Sequence, residues 1–400
     1  MSDGMLPLDD VRVLELGQLL AGPFCGQLLG DFGAEVIKVE DPRAGDPMRQ
    51  WGRHKPQGRS LWWPIVARNK KSVTCNLRVT EGQQLLRDLV GHADVLVENF
   101  RPGTLERWGL GYDELAAINP RLVLVRVSGF GQDGPYSPQA GFGSIGEAMG
   151  GLRFITGEPD RLPSRVGISL GDALAGTFAA LGAMVAVHAR RRTGRGQVVD
   201  CAIYEAVLAL MESTIPEWVL AHEERGRTGS ILPNVAPSNV YRTADGEDIV
   251  IAANQDTVFS RLAALMGQAG LATDARFVTH DARGRNQDLL DHLIDDWSSQ
   301  EAADALLGRL RQAGVPAGKI YRAKDMLEDP HYRARHAIVE VEHPVLGPFP
   351  MQNVAPRLSE TPGSVRSVGP ELGEHNAEVY GGLLDLEDDT IKGLVEQGVI

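Results

Sequence analysis

Val11-Arg-Val-Leu-Glu-Leu-Gly-Gln-Leu-Leu-Ala-Gly-Pro-Phe-Cys-Gly-Gln-Leu-Leu-Gly-Asp-Phe-Gly-Ala-Glu-Val-Ile-Lys-Val-Glu40 places a helical pattern between two short apolar runs. Residues 11–16 read as a strand, 23–31 as a helix and 34–40 as a second strand. The alternation continues. A strand is expected at 72–77, an amphipathic helix at 80–91 with Glu81 in its first turn, and further strands at 94–98 and 122–128. Strands alternating with helices imply βαβ units and a parallel sheet, with ligand-binding loops at the strands' carboxyl ends. The expected fold class is α/β.

Four hundred residues exceed what one core usually supports, which predicts two domains. The formal charge is 40 − 53 = −13, which argues against a nucleic-acid partner because phosphate backbones need a basic surface. Three cysteines without paired spacing (Cys25, Cys75, Cys201) exclude a disulfide framework and a cysteine-based zinc site. They fit a reducing compartment. The start, MSDGMLPLDD, lacks the basic and apolar regions of a signal peptide, so a cytoplasmic protein is expected. The uncharged stretch 173–189 is slightly short for a membrane span and reads as a buried core helix, with His188 packed inside it.

That helix is headed by Asp172 and closed by Arg190-Arg-Arg-Thr-Gly194, basic residues then glycine. Asp172 has two readings. Asp is a favoured N-cap, contributing about 1 kcal/mol. It is equally a carboxylate flanked by Gly171, Ala173 and Gly176, where a ligand carbonyl meets little bulk. A helix amino end keeps such a group anionic, and an anionic carboxylate can act as a nucleophile. A strand at 197–203 and a helix from Tyr204 to Met211 follow. From about Glu224 the texture turns loop-rich, then becomes hairpin-like around Asp245-Gly246, then helical to about Gly314. The expected layout is a large domain over 1–224, completed by 329–400, with a small α+β domain inserted at 225–328.

Gly129-Phe-Gly-Gln-Asp-Gly134 fits the dinucleotide fingerprint G-x-G-x-x-G, but Pro135-Tyr-Ser-Pro138 follows and no helix opens there. A flexible active-site loop is expected instead. Asn69-Lys-Lys71, Arg78, Asn99-Phe-Arg-Pro-Gly103 and Arg107 set basic groups at strand-to-helix junctions, where they could bind phosphates of a nucleotide-like ligand. No H-E-x-x-H, G-x-S-x-G or P-loop pattern occurs, and no metal site is expected. His54, His92 and His222 have no triad-like context.

The ordered set Leu14-Glu-Leu-Gly-Gln-Leu-Leu-Ala-Gly-Pro23, Gly33–Glu40, Asn69-Lys-Lys-Ser72, Val97-Glu-Asn-Phe-Arg-Pro-Gly103, Asn119-Pro-Arg-Leu122, Leu170-Gly-Asp172 and Thr193-Gly-Arg-Gly-Gln197 resembles the family III coenzyme A transferases of CaiB/BaiF type. The resemblance spans nearly the whole chain. It implies a Rossmann-like large domain with an inserted small domain, two chains interlocked as a homodimer, and CoA bound as a substrate rather than as a tight cofactor. It implies that Asp172 is catalytic. By motif position it implies CoA contacts at Leu19, Leu20, Cys75, Asn76, Leu77, Arg78, Asn99, Phe100, Arg101 and Arg107. One position departs: Asp41 stands where some members carry an arginine, which puts that phosphate contact in doubt. The implied reaction passes through an aspartyl-acyl anhydride and an aspartyl-CoA thioester. A glycine-rich loop, at 129–134 or 141–146, could supply oxyanion donors.

The same superfamily contains α-methylacyl-CoA racemases, in which a histidine lies in the region of Gly141-Phe142-Gly143. Phe142 cannot act as a base. The small-domain stretch Gly229-Ser-Ile-Leu-Pro-Asn-Val-Ala-Pro237 lacks the glycine run of oxalate-specific formyl-CoA transferases. With Met149–Gly157 it looks more like enzymes that move CoA from succinyl-CoA to dicarboxylates or hydroxy acids such as glutarate or citramalate. Arg153 or Arg165 could hold the acceptor's far carboxylate. A non-catalytic CoA-binding subunit is the other alternative, and the intact Asp172 argues against it.

Overall fold

β1 (Arg12–Glu15), β2 (Glu35–Glu40), β3 (Lys70–Thr74), β4 (Val95–Glu98), β5 (Val123–Ser128) and β6 (Val198–Ala202) run parallel in one sheet, ordered β3-β2-β1-β4-β5-β6. This is a computed structural model and describes residues 6–400. Every residue of β4 and β5 is buried, because helices cover both faces. That explains why both strands open on three successive apolar residues, Val95–Val97 and Val123–Val125, rather than alternating from the start. Leu14, Ile37, Leu96 and Leu124 point to one core with α2 (Thr80–Val90). Val13, Val36, Val95 and Val123 point to the other, against α1 (Ala21–Asp31) and α4 (Leu170–Thr193). Two further helices, α3 (Gly143–Met149) and α5 (Ile203–Leu208), pack at the amino end of α4.

The strand order reverses between β1 and β4, which are neighbours although β2 and β3 intervene in sequence. The connections leaving their carboxyl ends diverge there and open a crevice. The helix α4 lies close because its inner face is small: Ala175, Ala179, Ala183 and Ala186 are buried. A Cβ on Gly176 would stand 2.8 Å from the Ala21 carbonyl oxygen. The opposite edge is open. Phe178, Leu181, Val185 and His188 are exposed along it, so His188 is not the packed core residue expected. An all-apolar stretch does not disclose which face is covered.

The chain divides into two units. The first ends at Leu152, resumes over Val166–Leu220, and is completed by His331–Ile400. The second comprises Arg153–Arg165 and Ala221–Pro330, built on the antiparallel strands β7 (Ser238–Arg242), β8 (Asp248–Ala252) and β9 (Ala317–Lys319) around Tyr241, Ile249, Phe259, Leu262 and Phe277. The Asp245-Gly246 turn joins the first two, with Gly246 at φ +77°. Residues 153–165, kept with the large domain in the sequence layout, belong to the second unit. The Gly229 N–H donates to the Gly157 carbonyl at 3.0 Å, and Arg227 donates to the carbonyls of Phe154, Glu158 and Pro159.

The segment after Pro330 contains a hairpin of β10 (Ile338–His343) and β11 (Gly347–Gln352). Its prolines, Pro348 and Pro350, are tolerated because a two-stranded ribbon has free edges.

Candidate active site

Ser169 occupies the N-cap position of α4, so Asp172 is the third helical residue and not the cap. The first turn still places its carboxylate at the positive end of the helix dipole. Asp172 is half-buried. A Cβ built on Gly143 would lie 2.3 Å from Asp172 Oδ2 and 2.9 Å from Oδ1. Gly143 opens α3, so the carboxylate rests against main chain at the start of a second helix. Packing without side chains makes this possible. A Cβ on Gly146 would stand 2.5 Å from Ile203 Cγ2, and one on Gly171 would stand 3.1 Å from the Gly143 carbonyl oxygen. Glu147, fully buried on α3, accepts the Gly171 N–H at 3.2 Å. That bond satisfies one of the unpaired donors at the amino end of α4.

The two glycine-rich segments abut each other. A Cβ on Gly129 would lie 2.6 Å from Gly141 Cα, so the segment at 129–134 backs the one at 141–146, and the latter carries Gly143 to Asp172. No helix follows Gly134, consistent with rejecting the dinucleotide fingerprint. Phe142, 65% exposed, precedes Gly143 and offers no titratable group.

At the crevice, Asn99 ties the loop after β4 to the loop after β1. Its Oδ1 accepts the Gln18 N–H, and its Nδ2 donates to the Gln18 carbonyl, both at 2.8 Å. Leu19 next door sits at φ +63° and donates its N–H to the Asp46 carboxylate at 3.1 and 3.2 Å. Leu20 is half-buried beside it. Phe100 meets Trp108 edge-on at 5.5 Å. Its N–H donates to Glu98 at 2.7 Å. Burial pushes the Glu98 carboxyl up to about 7, against the opposing pull of Arg126 at 2.7 Å. Arg101 and Arg107 are exposed, with Arg107 Nη2 donating to Thr104 Oγ1 at 3.0 Å.

The loop after β3 is divided. Cys75 and Leu77 turn their side chains into the core. The Cys75 thiol donates to the Gly82 carbonyl at 3.2 Å, and burial pushes it up to about 12. Neither side chain is presented to a ligand, so only their main chain could be. Asn76 is half-buried and Arg78 exposed. Arg78 pairs with Asp41, which also holds Arg43 at 2.9 Å. Hydrogen bonding from Arg43 holds the Asp41 carboxyl well below the usual range. Asn69, Lys70 and Lys71, grouped in sequence with the phosphate-binding set, are committed within the fold: Asn69 to Asp31, Lys70 to Glu15, and Lys71 to Glu35 and Glu378. Arg153 and Arg165 belong to the second unit.

Residues 8–376 match the model of CoA-transferase family III. The chain belongs to that family. It is 64% identical over 394 residues to a succinyl-CoA–D-citramalate CoA-transferase of Chloroflexus aurantiacus, covering 98% of both chains. It is 31% identical over 394 residues to the succinyl-CoA:glutarate CoA-transferase of Homo sapiens, covering 98% of this chain and 90% of that one. A crystal structure of a CaiB/BaiF family protein from Brucella suis superposes with a TM-score of 0.84 at 36% identity, covering 94% of this chain and 99% of that one. The protein is thus a CoA-transferase with the α/β fold of the CaiB/BaiF group, and the racemase alternative is set aside.

Sequence reasoning named the segment 141–146 but as a loop, where Gly143 in fact opens a helix, and it missed Glu147 and Asp46. The helical spacing Gly143-x-x-Gly146-Glu147 was a signal for close packing on one face. Asp46 carried none.

Proposed function

We propose that this transferase moves CoA from succinyl-CoA to a small dicarboxylic or hydroxy acid of the citramalate kind, with Asp172 as the nucleophile. An Asp172 oxygen attacks the thioester carbonyl, the C–S bond breaks, and CoA thiolate leaves an aspartyl-succinyl anhydride. The thiolate then attacks the aspartyl carbonyl, releasing succinate and forming an aspartyl-CoA thioester. The acceptor carboxylate attacks that carbonyl and expels the thiolate. Attack of the thiolate on the acceptor's acyl carbon regenerates Asp172 and releases the new thioester.

The observation that carries this reading is the contact between the Asp172 carboxylate and the Gly143 main chain, with no side chain between. A helix amino end aimed at the same place suits the oxyanions of these steps. The crevice loops suit an extended CoA. Leu19, Leu20, Asn99 and Phe100 line it, Arg78, Arg101 and Arg107 offer exposed charge for phosphates, and Cys75, Asn76 and Leu77 contribute through main chain. No tightly held cofactor or metal takes part. The choice of succinyl-CoA and a citramalate-like acceptor is supported by the 64% identity to an enzyme named for that pair.

The working form is proposed to be an interlocked homodimer in the cytoplasm. The apolar edge of α4, with Phe178, Leu181 and Val185 exposed, and the exposed run Ile215, Trp218, Val219 and Leu220 suit a second copy of the chain. Three buried free thiols suit a reducing compartment.

Mass spectrometry of CoA products, from a panel of acyl-CoA donors and small acids, tests the substrate assignment. Asp172→Ala is expected to bind CoA without exchanging it. Hydroxylamine added with donor is expected to derivatise Asp172, and exchange surviving in the variant would overturn the nucleophile.

A further inference from the structure

Beneath the loop after β1 lie six charged side chains, three acidic (Glu15, Glu40, Asp46) and three basic (Lys38, Lys70, Arg49), none more than 12% exposed. Lys38 Nζ contacts Glu15 at 3.0 Å and Asp46 at 2.8 Å. Lys70 Nζ takes the other Glu15 oxygen at 2.7 Å. Glu40 is clamped by Arg49 through two bonds of 2.8 Å and accepts the Asp46 N–H at 2.8 Å. A Cβ on Gly26 would stand 1.8 Å from Glu15 Oε2, so only a glycine there leaves the carboxylate room.

Such a network is a poor way to stabilise a sheet, since desolvating each ion costs several kcal/mol and apolar packing serves as well or better. Its end points explain it better. Lys38 Nζ donates to the Gly17 carbonyl at 2.7 Å, and Asp46 accepts the Leu19 N–H. Leu19 is a non-glycine residue at φ +63°, a strained conformation that survives only where the surroundings over-determine it. They do so from both sides. Asn99 grips Gln18 from β4, while Lys38 and Asp46 grip Gly17 and Leu19 from β2 and the turn after it.

We propose that Lys38 and Asp46 are positioning residues that lock residues 17–19 in their strained form, presetting the surface on which CoA binds. The inference rests on the assignment of Leu19 and Leu20 to that surface. Burial opposes charge on both groups, yet the carboxylates around Lys38 raise it and the Lys38 ammonium lowers Asp46, so the pair stays ionised.

The test uses the full chain and CoA. Asp46→Ala and Lys38→Met are expected to raise the KM of the acyl-CoA donor roughly tenfold, the size of one lost charge-assisted hydrogen bond, with the acceptor's KM unchanged. Asp46→Asn keeps an oxygen for the Leu19 N–H and is expected to recover most of the donor KM. If the network merely holds the sheet, these variants lose thermal stability and kcat per milligram while the donor KM stays at the wild-type value, and the proposal fails. Should the variants not fold, hydrogen exchange on the wild-type protein decides. The Leu19 amide is expected to be protected before CoA is added, and protection that appears only with CoA overturns the presetting. A wild-type protein that does not bind CoA in calorimetry would refute the functional assignment instead.

Discussion

Gly143→Ala isolates the chemistry from the fold. The added methyl would stand 2.3 Å from Asp172 Oδ2, whereas carbon and oxygen without a bond approach to about 3.3 Å. The carboxylate must therefore swing by about 1 Å. A displacement of that size in a reacting group costs on the order of 10²-fold in rate, or about 2.7 kcal/mol of barrier. The fold should not register the change, because the obstructed atoms end a side chain that rotates, and alanine is a better helix residue than glycine by roughly 0.5–1 kcal/mol. The assay is CoA exchange between acyl-CoA and free acid, with thermal unfolding of the same preparation. Expected are a kcat/KM about two orders of magnitude down and a Tm within a few degrees of wild type. A variant that exchanges CoA within threefold of wild type would show that the Asp172 carboxylate need not sit where it does, and would sink the nucleophile assignment.

Arg107→Ala should weaken CoA binding by up to about fivefold at low salt, with the gap closing as salt screens it, and calorimetry at two ionic strengths reads both effects. Glu98 gives a pH signature. Its folded pKa of about 7 exceeds its value in the unfolded chain, so the native state keeps a proton that the unfolded state has released. Its stabilising effect is complete below the ordinary carboxylate range and is lost as pH rises to about 7. Glu98→Gln should flatten the decline of Tm across that window, and an unchanged slope would assign the decline elsewhere. Leu181→Asp, on the open edge of α4, should convert the proposed dimer into monomers in sedimentation equilibrium; a wild-type monomer would refute the dimer, and an undisturbed dimer would exclude that edge from the interface.

The sheet was legible because its strands are covered twice: Val123–Ser128 is buried throughout, and Val123, Val125 and Val127 keep its β-branched pattern despite Arg126. Ala317–Lys319 has no such composition and becomes a strand only because Ile249–Ile251 offers it a partner. Asp172 stood out as a lone carboxylate heading an apolar helix, but neither its place one turn inside the cap at Ser169 nor its contact with Gly143, 29 positions away, is something periodicity can express. Cys75 and Leu77 could be placed by motif but not oriented. Cys75 continues the ladder, its N–H bonded to the Glu40 carbonyl at 2.7 Å, and so inherits the inward alternation of β3. Lys38 and Asp46 look like ordinary charged residues in sequence, and only burial reveals that they face each other.

The glycines along α3 and the first turn of α4 have a further consequence. Because the Asp172 carboxylate meets main chain where it abuts Gly143, mutations of other side chains leave that contact without a side chain to alter. On the proposed mechanism, acceptor preference is then free to drift while the acyl-carrying step is inherited unchanged. A group of enzymes built this way can diverge in diet without reinventing its chemistry.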